Sequence, residues 1–179
     1  MRKYLFGLIV FFAVVTSASC FDKKGVKMIK VSSGSFRAGT SLASKHADSA
    51  CGGANISPSL SWRGIPAGTK SLALVCHDPD APAPGGWYHW ISVNIPAATS
   101  GLSEGEKTGE YIVNSSGSKG YSGPCPPPGH GAHRYNFTVY ALDVEKIETG
   151  QDISPAEVVR LIIKHSLAYG SITGLYERK

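Results

Sequence analysis

The sequence predicts a mainly β fold: an antiparallel β-sandwich with Greek-key-like connections and one C-terminal helix. Three observations carry this. Short stretches of alternating or continuous apolar residues recur along the chain, separated by turn-forming clusters. The 179 residues include 21 Gly and 11 Pro, with 42% apolar and 17% charged residues, which describes a folded, loop-rich domain and not a disordered chain. Helix signals at both ends of one segment occur only after Ser154.

Residues 1–19 stand apart from this fold. Arg2 and Lys3 make a basic start, residues 5–15 are apolar apart from Gly7, and Thr16, Ser17, Ala18 and Ser19 supply the small residues of a cleavage site. That is the pattern of a secretory signal peptide, too short for a comfortable transmembrane helix. Cys20 follows directly, where bacterial lipoproteins are cleaved and acylated, so Cys20 is a candidate for lipidation and membrane attachment. Ser17 stands where a lipobox usually has Leu, and cleavage near Ala18 or Ser19 is the plainer alternative. The expected organisation is a signal peptide over residues 1–19 and one domain over residues 20–179, exported to the periplasm or cell envelope. Export removes Arg2 and Lys3 from a formal net charge of +5. Lys23 and Lys24 form only a pair, and no basic run interleaves with aromatics. Nucleic-acid binding is disfavoured, while a weak attraction to anionic ligands or membrane surfaces remains.

The elements follow in order. Residues 26–32 read as a strand with Met28, Lys30 and Ser32 on one face, and residues 36–39 as the end of a second short strand and a turn. Residues 55–62 alternate, with Ile56, Leu60 and Trp62 on one side, but Pro58 demotes the first half to an edge or loop. Residues 71–77 form an apolar strand and residues 89–95 an alternating one. Residues 96–110 are a polar connection without a site signal, and residues 111–113 a short strand. Residues 136–142 form a clear strand, in which Phe137, Val139 and Ala141 alternate with Asn136, Thr138 and Tyr140. Ser154 as N-cap, Pro155 at N1 and Glu157 at N3 make a capping box, and Val158, Leu161, Ile162 and His165 follow helical spacing. Gly170 fits the helix stop, and residues 171–176 the last strand. His165 suits a satisfied core histidine or a last-turn dipole partner better than a ligand.

Chemistry concentrates in two loops. Residues 77–90, HDPDAPAPGGWYHW, place Asp78, Asp80, two histidines and two tryptophans between strands. Pro79, Pro82 and Pro84 fix φ and stiffen the loop, as suits a binding site at a strand end. Asx turns beside proline are the bland alternative for both acids. Residues 114–135 form a long loop, rigid over residues 123–129, whose glycines allow close backbone approach to an anion; His130 and His133 follow. Of the four cysteines, Cys76 sits inside an apolar strand as a small hydrophobe, while Cys51 and Cys125 lie in loops. In an oxidising compartment these two are expected to pair as a disulfide, although sequence does not fix connectivity. There is no Cys-x-x-Cys pair for structural zinc and no Gly-x-Ser-x-Gly elbow for a serine hydrolase.

Asp78-Pro79-Asp80-Ala81-Pro82, then Trp87-Tyr88-His89, and Gly131-Ala132-His133-Arg134-Tyr135 resemble the two signature segments of the phosphatidylethanolamine-binding protein family, in its bacterial Raf-kinase-inhibitor-like branch. Residues 55–62 and 123–127 are similar to its other shared stretches, and the likeness runs over roughly residues 28–176. The resemblance implies a β-sandwich with a small pocket at one end for phosphate-like groups, including phospholipid headgroups. It carries Asp78, His89, His133 and Tyr135 onto pocket positions, Trp87 onto a wall position and Gly123 onto a backbone donor. The expected chemistry is that Asp78 orients one imidazole and raises its pKa, a charged histidine attracts the anion, and the Tyr135 hydroxyl and Gly123 N–H add neutral donors. Binding is the first functional expectation, with no cofactor, no metal and no catalytic residue. The second is an inhibitor docking a protein partner, a protease or kinase, through the same pocket. A metal hydrolase using Asp78, His89 and His133 comes last. A homodimer is compatible with all three.

Overall fold

A computed structural model of the protein describes residues 27–150 and 152–179. The expected signal peptide, Cys20 and the first residue of the opening strand lie outside the described residues. Among the described residues nine strands and one α-helix follow in order: β1 (Lys27–Met28), β2 (Lys30–Ser32), β3 (Leu60–Arg63), β4 (Ser71–Asp78), β5 (Trp87–Pro96), β6 (Gly101–Leu102), β7 (Glu110–Tyr111), β8 (His133–Leu142), α1 (Pro155–Lys164) and β9 (Ser166–Tyr176). They build a six-stranded sheet, β1-β9-β8-β4-β5-β7, and a three-stranded sheet, β2-β3-β6. Every pairing is antiparallel except β1 with β9, which is parallel.

Strand β4, near the middle of the large sheet, is buried on both faces over its first six residues and is continuously apolar from Leu72 to Cys76. Along β4, Leu72, Leu74 and Cys76 join Trp62, Leu60 and Leu102 of the small sheet in one core. Ala73 and Val75 point the other way, to Val158, Val159 and Ile162 of α1. Burying each of these larger side chains stabilises the fold by roughly 1.5–3 kcal/mol. Strand β5 serves both cores by changing parity: Asn94, at φ +58°, accompanies a register shift that sends Val93 to the helix side and Ile95 to the sandwich side.

Helix α1 begins as expected. The Ser154 hydroxyl accepts from the Glu157 N–H, and the Glu157 carboxylate reaches back to the Ser154 N–H. Its end differs. The helix stops at Lys164, with His165 as C-cap beside Asp143 (Nδ1 to Oδ1, 3.0 Å), and β9 starts at once. Gly170 is therefore no helix stop but a buried position inside a strand eleven residues long. The Ile29 carbonyl lies where a side chain at Gly170 would be.

Three further expectations change. Residues 26–32 do not form one strand: Met28 pairs with Tyr169 in the large sheet, Ile29 is buried at the crossing, and Lys30 already pairs with Arg63 in the small sheet. Residues 36–39 form no strand; Phe36 fills the sandwich core and the chain turns at Gly39, φ +74°. The polar connection holds β6, which completes the small sheet through Leu60↔Leu102. Two residues between polar neighbours carry no readable period, and only the tertiary pairing makes them a strand.

Candidate functional site

Antiparallel pairing brings the end of β4 beside the starts of β5 and β8, with Asp78 opposite Trp87 and His77 opposite Asn136. The two loops expected to carry chemistry meet there. They enclose a cavity of about 350 Å³ whose lining includes Asp78, Trp87, His89, Gly123, His133 and Tyr135. All six candidate residues thus face one space.

Asp78 fills two roles. Its Oδ1 accepts from the Asp80 N–H at 2.8 Å, an Asx turn across Pro79, and its Oδ2 accepts from His133 Nδ1 at 2.8 Å, both side chains being buried. Asp80 reaches the next residue of β8, accepting from the Arg134 N–H, Nε and Nη2 at 2.9, 2.9 and 2.6 Å. Arg134 holds the Asp80 carboxyl down to about 2. The proline loop is therefore pinned to β8 by both acids.

Asp78 thus orients one imidazole, that of His133, and His89 is held by another group. Its partner is the Ser122 carbonyl, 2.7 Å from Nδ1, and Asp78 belongs to His133. Burial pushes the pKa of His89 below its ordinary value, only partly opposed by the Ser122 carbonyl and the charge of Asp78. His89 is thus biased toward the neutral form. Both rings donate through Nδ1 to acceptor-only oxygens, which leaves Nε2 as the remaining polar atom of each.

The Ser122 carbonyl is set by Asn114, a buried residue that sequence reading passed over. Its amide nitrogen donates to the His89 carbonyl (3.3 Å), the Gly120 carbonyl (3.1 Å) and the Ser122 hydroxyl (2.9 Å). Its oxygen accepts from Ser116 and Ser118 N–H groups at 2.9 and 3.2 Å. One side chain thereby folds the long loop against β5. An Asn at the start of a Ser/Gly-rich stretch was the available signal.

Gly123 lies in the wall, but its N–H already donates to Asn55 Oδ1 at 2.7 Å. The expected backbone donor is engaged within the protein, and the glycine serves packing instead: a Cβ there would collide with the His46 carbonyl. Tyr135 is the opposite case. It is 1% exposed, packs edge-on against the His89 ring at 5.1 Å, and its hydroxyl, near the Asp78 carboxylate, makes no hydrogen bond of good geometry among the described residues. Burial first, then the charge of Asp78, pushes its pKa up, so the phenol keeps its proton and remains a donor.

Asp48 also lines the cavity and was not anticipated. It caps a short 3-10 turn, accepting from the Ala50 N–H at 2.9 Å. That turn ends at Cys51, which stands at disulfide distance from Cys125 of the cavity wall, Cα atoms 5.7 Å apart. Pro82, Pro126, Pro127 and Ala81 complete the lining. Ser116 and Ser122 are present, yet their hydroxyls bond Asn114 and each other, and no serine hydroxyl bonds a histidine among the described residues. Nor do three His, Cys, Asp or Glu side chains stand close enough to share a metal ion among the described residues.

A two-sheet sandwich with a histidine-, aspartate- and tyrosine-lined cavity at one end of its large sheet defines a class of small β domains. The family model described as "Phosphatidylethanolamine-binding protein" matches residues 32–177, and the chain belongs to that family. It is similar to the YbhB protein of Escherichia coli strain K12, 42% identical over 158 residues, covering 83% of this chain and 99% of that one. The crystal structure of E. coli YbcL, described as a new member of the mammalian PEBP family, superposes with a TM-score of 0.80 at 40% identity, covering 84% of this chain and 99% of that one. Carboxypeptidase Y inhibitor, solved with its cognate proteinase, shares the fold at 22% identity and a TM-score of 0.50, over 86% and 84% of the two chains.

Proposed function

We propose that the chain is an exported binding protein of the cell envelope whose end cavity takes a small phosphate-like group. The Tyr135 hydroxyl, buried in the cavity wall without a well-placed acceptor among the described residues, carries this reading, because a buried donor without an acceptor costs about 1–3 kcal/mol and a ligand oxygen would supply one. The Nε2 atoms of His89 and His133 extend the set of ligand contacts. Asp48 adds a carboxylate that suits an ammonium group, so a zwitterionic headgroup fits the lining better than a bare anion. Serine hydroxyls turned to Asn114 favour binding over nucleophilic catalysis.

The pH dependence has a definite sign. Burial depresses the pKa of His89. A bound anion stabilises the protonated ring, so binding takes up a proton and affinity falls as pH rises above the depressed pKa of the free ring. The test is titration with inorganic phosphate and O-phosphorylethanolamine, following the histidine ring resonances between acidic and neutral pH. Shifts at His89 and His133, with tighter binding of O-phosphorylethanolamine, are expected. Unmoved rings at high ligand concentration overturn the reading. A partner protein docked at the same mouth then becomes the explanation to pursue; one distant fold relative is solved in complex with its cognate proteinase.

A further inference from the structure

The outer face of the large sheet is only half covered by α1. Beyond the helix, four of the five large apolar side chains exposed among the described residues gather on one patch: Met28 (59% exposed), Ile163 (57%), Tyr169 (43%) and Leu167 (41%). They are contiguous. Met28 is paired with Tyr169, Tyr169 is paired with Tyr140 at 6.0 Å between rings, and a groove runs between Tyr140, Ile163, Leu167 and Tyr169. Leu167 and Tyr169 alternate with the buried Ala168 and Gly170, so strand geometry points them outward together. A patch this concentrated on a small domain marks an interaction surface.

We propose that this face rests on an anionic lipid bilayer surface. Two features of the chain select that occupant. The patch begins at β1, the point where the chain leaves the 26 residues that precede it. Those residues include the candidate acylation site Cys20, which cleavage of the expected signal peptide leaves in the chain. Cys20 lies seven residues before Lys27, a reach of at most about 25 Å. Any anchor there holds the protein with this face near the membrane. The charges are also complementary. In the sequence Lys23, Lys24 and Lys27 precede Met28, the exposed Lys30 follows it, and the exposed Arg160 and Lys164 flank Ile163 on α1. Asp143, the carboxylate at the end of the helix, is held by His165. An apolar patch rimmed by basic residues is the composition that binds the headgroup region of acidic membranes. The face lies on the helix side of the large sheet, whereas the cavity is a separate opening lined by strand ends and loops.

The experiment places a reporter in the patch of the full chain. A Leu167→Trp variant is mixed with phosphatidylglycerol vesicles carrying brominated acyl chains, and a Val113→Trp variant serves as control, Val113 being the one exposed large apolar side chain away from the patch among the described residues. The expected result is a roughly two-fold or greater loss of the added tryptophan emission for Leu167→Trp. Little change is expected for Val113→Trp or with neutral phosphatidylcholine vesicles. Equal quenching of both variants overturns the proposal, because the N-terminal segment then brings the protein to lipid without seating this face. Absence of quenching overturns it too. So does a lipid-free dimer in sedimentation that Leu167→Glu disperses, which assigns the patch to a second copy.

Discussion

Burying the Tyr135 hydroxyl without a well-placed partner among the described residues sets stability against binding at a single atom. Replacing Tyr135 by Phe removes an unsatisfied buried donor while keeping the ring against His89. Thermal unfolding of the empty Tyr135→Phe variant is expected to show unchanged or higher stability, by up to about 1 kcal/mol. Calorimetric titration of the same variant is expected to show about ten-fold weaker phosphate binding, the worth of one hydrogen bond to a charged acceptor. A fall in stability would mean that the hydroxyl has a structural partner within the protein. At this scale the sequence was informative about residue types and uninformative about pairing. Asp78, His89, His133 and Tyr135 were legible as candidates. That Asp78 serves His133 while a loop carbonyl serves His89 was not, because it depends on how the chain between residues 114 and 123 folds back on β5. Asp48 was invisible for the same reason: nothing local separates a cavity-lining aspartate from an ordinary turn cap.

Among the elements, β9 shows why local pattern misleads. The run Tyr169-Gly170-Ser171 reads as a helix terminus, since glycine commonly ends helices. The helix is stopped earlier, where His165 caps it and the chain turns directly into the strand. Gly170 is instead required by the crossing of Ile29, whose backbone lies against it as the chain passes from the large sheet to the small one. A Gly170→Ala substitution is therefore expected to destabilise the protein by about 1–3 kcal/mol in chemical denaturation, through overpacking against backbone that cannot move aside. If the alanine were neutral, the crossing would be looser than the close approach implies. The long elements β4, β5, β8 and α1 were legible because their apolar periods exceed a few residues. The two-residue strands β1, β6 and β7 were weak or absent as signals, because each exists only through its neighbour in the sheet.

For the whole molecule, the cavity depends on chain segments far apart in sequence being held at one end of the sandwich. Cys51 and Cys125 are separated by 74 residues and stand at disulfide distance. Cys51 closes the turn that carries Asp48, and Cys125 belongs to the wall formed by Gly123, Pro126 and Pro127. Hydrogen bonds tie the same segments, from the Asp48 N–H to the Pro124 carbonyl and from the Gly123 N–H to Asn55. A cross-link between cysteines so far apart removes chain entropy chiefly from the unfolded state, so its loss is expected to cost about 2–5 kcal/mol. Binding should respond less than stability, since the histidines and Tyr135 are fixed from the sheet and from Asn114, not from Cys125. The Cys51→Ser, Cys125→Ser double variant is thus expected to unfold at markedly lower temperature yet bind phosphate within about three-fold of the parent, measured well below its unfolding transition. Equal stability with and without reductant would show that the two thiols do not form a bond in the folded protein. A large loss of affinity with the fold intact would instead make the Asp48 turn and the proline wall part of the recognition surface, held in place by the cross-link.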